Sequence, residues 1–173
     1  MAKKKISSEL EEAILSLSQK EKNKLLIRLI NKDELLVEQL QFKLLEGSET
    51  DLKYRVTNII EAINLTFSTQ SIRYFKDLIY YTRELVTLIN RHFKVTKDKK
   101  GELELLIHLF KVANTASSNL KINLRDFTSK SKYKEYSLTK VAKMETLLKA
   151  IHEDYKIEFE EDFEEINDFI RKM

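Results

Sequence analysis

The stretch SIRYFKDLIYYTRELVTLINRHF, residues 71–93, decides the fold. Ile72, Phe75, Leu78, Ile79, Thr82, Val86, Ile89 and Phe93 recur in steps of mostly three and four, the period of a helix with one face turned to a core. A second stripe, Arg73, Lys76, Tyr80, Arg83, Thr87, Arg91 and Lys94, keeps that step on another face. The spacing predicts one long helix from Ser71 to Phe93, about 35 Å at 1.5 Å per residue, with a core-facing stripe and a basic, partly aromatic one.

Outward from this helix the chain stays helical. Its 173 residues contain no proline and only two glycines, Gly47 and Gly101, so the turns that a strand-rich fold needs every eight to twelve residues are missing. With 42% hydrophobic and 34% charged residues the chain reads as folded, and its length suits a single domain over residues 1–173. The expected architecture is all-α, about seven helices in antiparallel hairpins forming an irregular bundle or a HEAT-like stack. No internal repeat is present, and a HEAT period of about 40–47 residues is not kept.

N-terminal to the central helix, Ser8-Glu9-Leu10-Glu11 and Ser18-Gln19-Lys20-Glu21 have the capping-box pattern. The second opens a helix with Leu25, Leu26, Leu29 and Ile30 expected inward, and Asp33 caps the next, where Leu36, Leu40 and Leu44 step by four. The short Asn31-Lys32 connection makes these two antiparallel neighbours. Gly47 suits a left-handed position after a helix end. Ser48 or Thr50 then starts a helix with Leu52, Val56, Ile59, Ile60, Ile63 and Phe67 on one side.

On the C-terminal side, Lys94 to Lys100 reads as a basic loop ending at Gly101. Glu102 to about Ser117 is apolar almost all round and is expected to be the most buried helix. Residues 118–136 fit either a strand or a helical turn at Leu120, Ile122 and Leu124, followed by a Ser/Lys-rich connection over 128–134. Ser137 is expected to cap a helix with Val141, Met144, Leu148, Ile151 and Tyr155. The last helix places Phe159, Phe163, Ile166 and Ile170 inward behind a crowd of carboxylates.

Several chemistries are excluded. Without cysteine there is no disulfide, thiolate or cysteine-held zinc, in keeping with a reducing compartment. No apolar run approaches the roughly 20 residues of a membrane span. Met1 to Ile6 carries three lysines with no apolar stretch behind them, unlike a secretory signal. The expected location is the cytoplasm, with no membrane contact. Two isolated glycines cannot build a phosphate loop, and no serine stands in a nucleophile elbow.

His92, His108 and His152 are not spaced as a helical metal pair. Glu104, four residues before His108, shares a face with it, which reads as a hydrogen-bonded histidine at a helix rim rather than half of a metal site. The carboxylate pairs Glu158/Glu161, Glu161/Glu164 and Glu165/Asp168 have the Glu-x-x-Glu and Glu-x-x-Asp spacings with which helical nucleotide pyrophosphohydrolases hold Mg²⁺. Those enzymes need two facing helices, whereas these pairs overlap on one. No catalytic residue, metal ligand or cofactor is therefore expected.

Charge is uneven. Residues 1–90 carry 14 basic and 13 acidic groups, net +1; residues 91–143 carry 13 and 5, net +8; residues 144–173 carry 4 and 10, net −6. The binding candidate is the stripe Arg73, Lys76, Tyr80, Arg83, Arg91 and Lys94, able to neutralise phosphates and stack a base. Lys97, Lys99, Lys100, Lys130, Lys132 and Lys134 would extend it. Competing with this are ordinary i,i+4 contacts such as Arg73–Asp77, and packing of the stripe on the acidic C-terminal helix.

Two segments, Leu17-Ser18-Gln19-Lys20-Glu21 with Leu25–Leu29 and Lys32-Asp33, and Asp154-Tyr155-Lys156-Ile157-Glu158 with its helical tail, resemble a largely uncharacterised family of small all-helical proteins of Bacteroidetes-type bacteria. Some of that family are labelled deoxyuridine triphosphate nucleotidohydrolase. The resemblance implies an all-helical bacterial protein and covers most of the chain, but its motifs are helix starts and core positions and assign no catalytic residue. The functional expectation is a non-catalytic interaction or scaffold protein with a protein partner, docking through the central helix and the basic 91–143 region. The alternatives are a nucleic-acid or polyanion binder using the 73–143 surface, and a Mg²⁺-dependent nucleotide pyrophosphohydrolase of the dUTP type.

Overall fold

Five helices start where a short polar side chain, Ser7, Ser18, Asp33, Ser48 or Asp98, takes a free amide of the first turn. The computed structural model of the chain describes residues 6–120 and 127–173. Among these are eight helices, α1 (Ser8–Ser16), α2 (Gln19–Ile30), α3 (Glu34–Leu45), α4 (Glu49–Thr69), α5 (Phe75–Thr96), α6 (Lys99–Ser118), α7 (Phe127–Ala150) and α8 (Glu153–Lys172), and no strand. The class is the expected one, with eight helices in place of about seven. Ser18 and Glu21 close the predicted capping box on α2, Asp33 caps α3, and Ser48 with Asp51 caps α4. At α1 the cap is Ser7, whose hydroxyl accepts from the Leu10 amide, one residue before the expected start. Gly47 adopts φ +98°, as its place between α3 and α4 requires.

The core forms around α6. Leu103, Leu105, Leu106, Leu109, Phe110 and Ala113 on this helix are all fully buried. α6 packs against α4, α5, α7 and α8, so it needs apolar residues on every side. Val56, Ile59 and Ile63 of α4, Leu85, Val86 and Ile89 of α5, Val141, Met144 and Leu147 of α7, and Phe159, Phe163, Ile166 and Ile170 of α8 complete the main cluster. A smaller cluster gathers Phe75, Leu78, Ala113 and Tyr133.

Three features around the α5–α6–α7 region correct the sequence reading. The central helix runs from Phe75 to Thr96, so Lys94 lies inside it, and only Lys97 and Asp98 separate it from α6. The basic loop over 94–100 does not exist as such. Gly101 does not end that loop either. It sits in the first turn of α6, where its amide donates to Asp98 Oδ1 at 2.9 Å. Lastly, α7 is already helical at Phe127, and Tyr133 in the supposed connection is fully buried against Phe75, with ring centroids 5.8 Å apart. Ser137 does not cap this helix. It is buried inside it, with its hydroxyl donating to the Tyr133 carbonyl at 2.8 Å. The alternation at Ile122 and Leu124 lies outside the described residues.

Gly101 is required for close approach. A Cβ there would lie 2.2 Å from Asp98 Oδ2 and 2.9 Å from Val56 Cγ2. Helix propensity alone favours alanine by about 1 kcal/mol, but displacing the cap costs about 0.5–2 kcal/mol and overpacking about 1–3 kcal/mol. Gly101→Ala is expected to lower stability by about 1–2 kcal/mol in urea unfolding, against the propensity scale; an unchanged or raised midpoint would refute the clash.

α1, α2 and α3 contribute no buried residue. α3 packs along α5, and α2 packs on α3. Leu26 and Leu29, expected inward, are 56% and 53% exposed, and Leu45 at the end of α3 is 82% exposed. The N-terminal third is thus an arm laid on a five-helix body: Leu25, Ile30, Leu36 and Leu40, also expected inward or on the α3 stripe, are half-buried, while Leu26, Leu29, Leu44 and Leu45 stay exposed.

Candidate functional site

The basic stripe of α5 does not act as one surface. Arg91 is consumed by the arm: its Nη2 lies 2.7 Å from Glu38 Oε1 and its Nε donates to Glu38 Oε2 at 3.0 Å, with Glu34 at 3.4 Å. Glu38, first among these contacts, holds the Arg91 guanidinium pKa above its ordinary value. The Lys94 carbonyl accepts from Gln39 Nε2 at 2.8 Å. Beside them Arg55 of α4 binds Glu46 at 2.7 Å and lies over the Phe42 ring. These polar contacts fix α3, and with it the arm, to the body. Arg91 therefore anchors the arm through its side chain, and Lys94 only through its backbone carbonyl.

Arg73 precedes α5. Its Nε donates to Ser71 Oγ at 3.0 Å, and its amide donates to the Asp77 carboxylate that also takes the Tyr74 amide. Tyr80 donates to Glu84 at 2.7 Å. Lys76, Tyr80 and Arg83 do lie together, along a shallow groove of about 370 Å³ that Ile79, Glu84 and Thr87 complete. Arg83 then reaches across to α7, where it sits 5.1 Å from the Tyr136 ring centroid, and Lys140 sits 5.0 Å from the same centroid. Burial, followed by the neighbouring Lys143 and Arg83 charges, pushes the Lys140 ammonium below its usual range. Among the described residues neither Arg83 nor Lys140 has a carboxylate at ion-pair distance. Two like charges thus lie over one aromatic ring. The sequence had placed Arg83 in the stripe; Tyr136 and Lys140 were missed because they come from another helix.

The acidic α8 meets α6 instead of the α5 stripe. Lys111 binds Asp162 at 2.6 Å, and Lys100 lies 3.2 Å from Glu158 and 4.0 Å from the Tyr155 ring centroid. These ion pairs are half in solvent, where each contributes about 0–1 kcal/mol. They border a groove of about 460 Å³ between α4, α6 and α8 that also holds Glu104 and His108. Burial raises the Glu104 carboxyl. The His108 ring is engaged with Asn64 Oδ1, 2.8 Å from its Nε2, and burial, then Lys111, lowers its pKa. That is the hydrogen-bonded rim histidine expected from the Glu104/His108 spacing. A histidine with a depressed folded pKa contributes stability that is present above the unfolded value, about 6.5, and is lost as pH falls through the folded one. Stability is expected to decline from pH 7 toward pH 5, with His108→Gln flattening that part of the profile in urea titrations; an identical slope in the variant would contradict the assignment.

Among the described residues no three of His, Asp and Glu come together as a metal-binding group. The Glu158/Glu161, Glu161/Glu164 and Glu165/Asp168 pairs remain on α8 alone. His92, by contrast, is a buried structural group, 3.8 Å from Asp98 Oδ2 and 3.5 Å from Thr96 Oγ1. Burial pushes the Asp98 carboxyl up, but the His92 ring and the Gly101 amide outweigh it and hold it below the ordinary range.

Glu102 was also missed as a structural residue. Its side chain is 1% exposed and pairs with Lys143 of α7, which also donates to Asn90 Oδ1 of α5 at 3.0 Å. One ammonium thus ties three helices together.

Among the described residues, exposed apolar side chains are most concentrated on the arm. Leu10, Leu15, Leu26, Ile27, Leu29, Leu44 and Leu45 are each at least half exposed. Single exposed aliphatic residues are ordinary, but seven within 36 residues of one arm are not. None of the described helices is long and apolar enough to cross a membrane. No protein-family model, curated protein or solved structure matches the chain.

Proposed function

We propose that this chain is a non-catalytic helical interaction protein of the bacterial cytosol, a scaffold whose body presents the α1–α3 arm to a protein partner. One observation carries the reading: three successive helices, of which α1 and α2 are amphipathic, contribute no buried residue, while the core around α6 includes none of their side chains. An amphipathic helix gains most of its stability by covering its apolar face. The arm is held by Arg91, Arg55 and Gln39 and by half-buried leucines of α3, while Leu26, Leu29, Leu44 and Leu45 stay exposed. This moves the docking face from the central helix, where the stripe pointed, to the N-terminal third.

The test is capture from nuclease-treated native lysate by the full chain and by a Leu26→Glu/Leu29→Glu variant. Glutamate keeps helix propensity and removes the apolar face. Proteins retained by the first and lost by the second support the reading. Capture that is identical for the two, or that disappears with nuclease alone, contradicts it.

A second reading rests on Arg83 and Lys140 around Tyr136, which suit a phosphate-bearing polyanion such as single-stranded nucleic acid. It predicts oligonucleotide binding that falls steeply with salt and weakens in an Arg83→Gln/Lys140→Gln variant. No binding at low salt removes it.

A further inference from the structure

We infer that the arm's partner is the same arm of a second copy of this chain; the inference rests on the interaction reading above. α1 carries Glu9, Glu11 and Glu12 and no cation. α2 carries Lys20, Lys22, Lys24 and Arg28 against one acid, Glu21, which its own capping box occupies. Within the chain these opposite charges do not meet. Lys22 donates to the Leu15 carbonyl, and among the described residues none of Glu9, Glu11, Glu12, Lys20, Lys24 or Arg28 forms an ion pair.

The apolar positions lie beside these charges. Leu10 and Ile14 share one face of α1, with Leu17 at its C-terminal cap, and Leu25, Leu26 and Leu29 share one face of α2; Leu10, Leu26 and Leu29 are exposed, and Ile14, Leu17 and Leu25 are half-buried. A twofold axis that sets α1 of one copy against α2 of the other brings acid to base at both contacts and closes the leucine faces into a four-helix cluster. A partner of one charge sign would match one helix and repel the other. A second copy supplies both signs in the right relation by symmetry.

Sedimentation equilibrium on the full chain tests this. The wild type is expected to be a dimer and Leu26→Glu/Leu29→Glu a monomer with unchanged helix content. Two charge reversals sharpen the assignment: Glu9→Lys/Glu11→Lys/Glu12→Lys in one variant, and Lys20→Glu/Lys24→Glu/Arg28→Glu in another. Each alone is expected to lose at least about tenfold in dimer affinity, and an equimolar mixture to regain it as a heterodimer, because each then offers the charge the other lacks. A wild type monomeric at all concentrations, or a mixture no tighter than its components, overturns the inference. If the wild type is monomeric but arm-dependent capture of another protein persists, the second-copy assignment alone falls. If capture does not depend on the arm, the interaction reading falls with it.

Discussion

Phe110→Ala is expected to cost about 3–5 kcal/mol, the range for removing a buried aromatic ring. Phe110 has no exposed surface and lies on α6, the helix packed against α4, α5, α7 and α8. A void there is bordered by several elements, so no single helix can shift to fill it, and the interior is too densely packed to relax cheaply. Small domains are stable by only about 5–15 kcal/mol, so the variant approaches global unfolding. Ile63→Ala, at an equally buried position on α4, is expected to cost about 2–5 kcal/mol. Urea unfolding should show both as a lower midpoint with an unchanged slope; thermal melts showing no loss for either would contradict a core centred on α6.

Lys143→Ala is the next largest, about 3 kcal/mol. It leaves the Glu102 carboxylate buried at 1% exposure without its partner, and it also removes the bond to Asn90. The value is set at the low end for breaking a buried pair because Lys143 keeps 35% of its side chain in solvent, where water reaches the site. The double variant Glu102→Leu/Lys143→Met is expected to regain most of the loss, since replacing both charges leaves nothing buried and unpaired. A double variant no better than Lys143→Ala alone would show that packing around the lysine stem, not the charge, holds the three helices together.

The fold was readable because apolar period and burial agree wherever a helix faces the body. On α5, Phe75, Leu78, Thr82, Val86 and Ile89 are buried as their spacing implies, and on α8 so are Phe159, Phe163, Ile166 and Ile170. The start of α7 was missed because its inward positions, Tyr133, Ser137, Val141 and Met144, include a serine and stand among lysines. Their steps of four, four and three carried the signal, and Tyr133 is its anchor. On α2 the failure runs the other way. Its stripe of Leu25, Leu26 and Leu29 is as regular as the others, but periodicity reports that a face needs cover, not that the same chain provides it. The α5 stripe mixed several roles, because Arg91 meets Glu38 53 residues away while Arg83 meets Tyr136 on α7. Such pairings depend on which helices become neighbours, and spacing along one helix cannot express them.

The seam between α3 and α5 gives the arm a defined place while Leu26, Leu29, Leu44 and Leu45 remain exposed. Fixing α3 lowers the ordering cost of any contact made by the arm, the general advantage of a preorganised face. The arm is then stiff where it meets the body and uncovered where it meets a partner.

Amide hydrogen exchange, compared between the full chain and Leu26→Glu/Leu29→Glu at the same concentration, tests the central claim that the arm is a docking face on an independently stable body. The account predicts that α6 exchanges slowest in both proteins and that protection of α1 and α2 is higher in the wild type than in the variant. Equal protection of α1 and α2 in both, or loss of protection spreading into α6, would show that the arm's leucines serve the fold of the chain itself and would contradict the account.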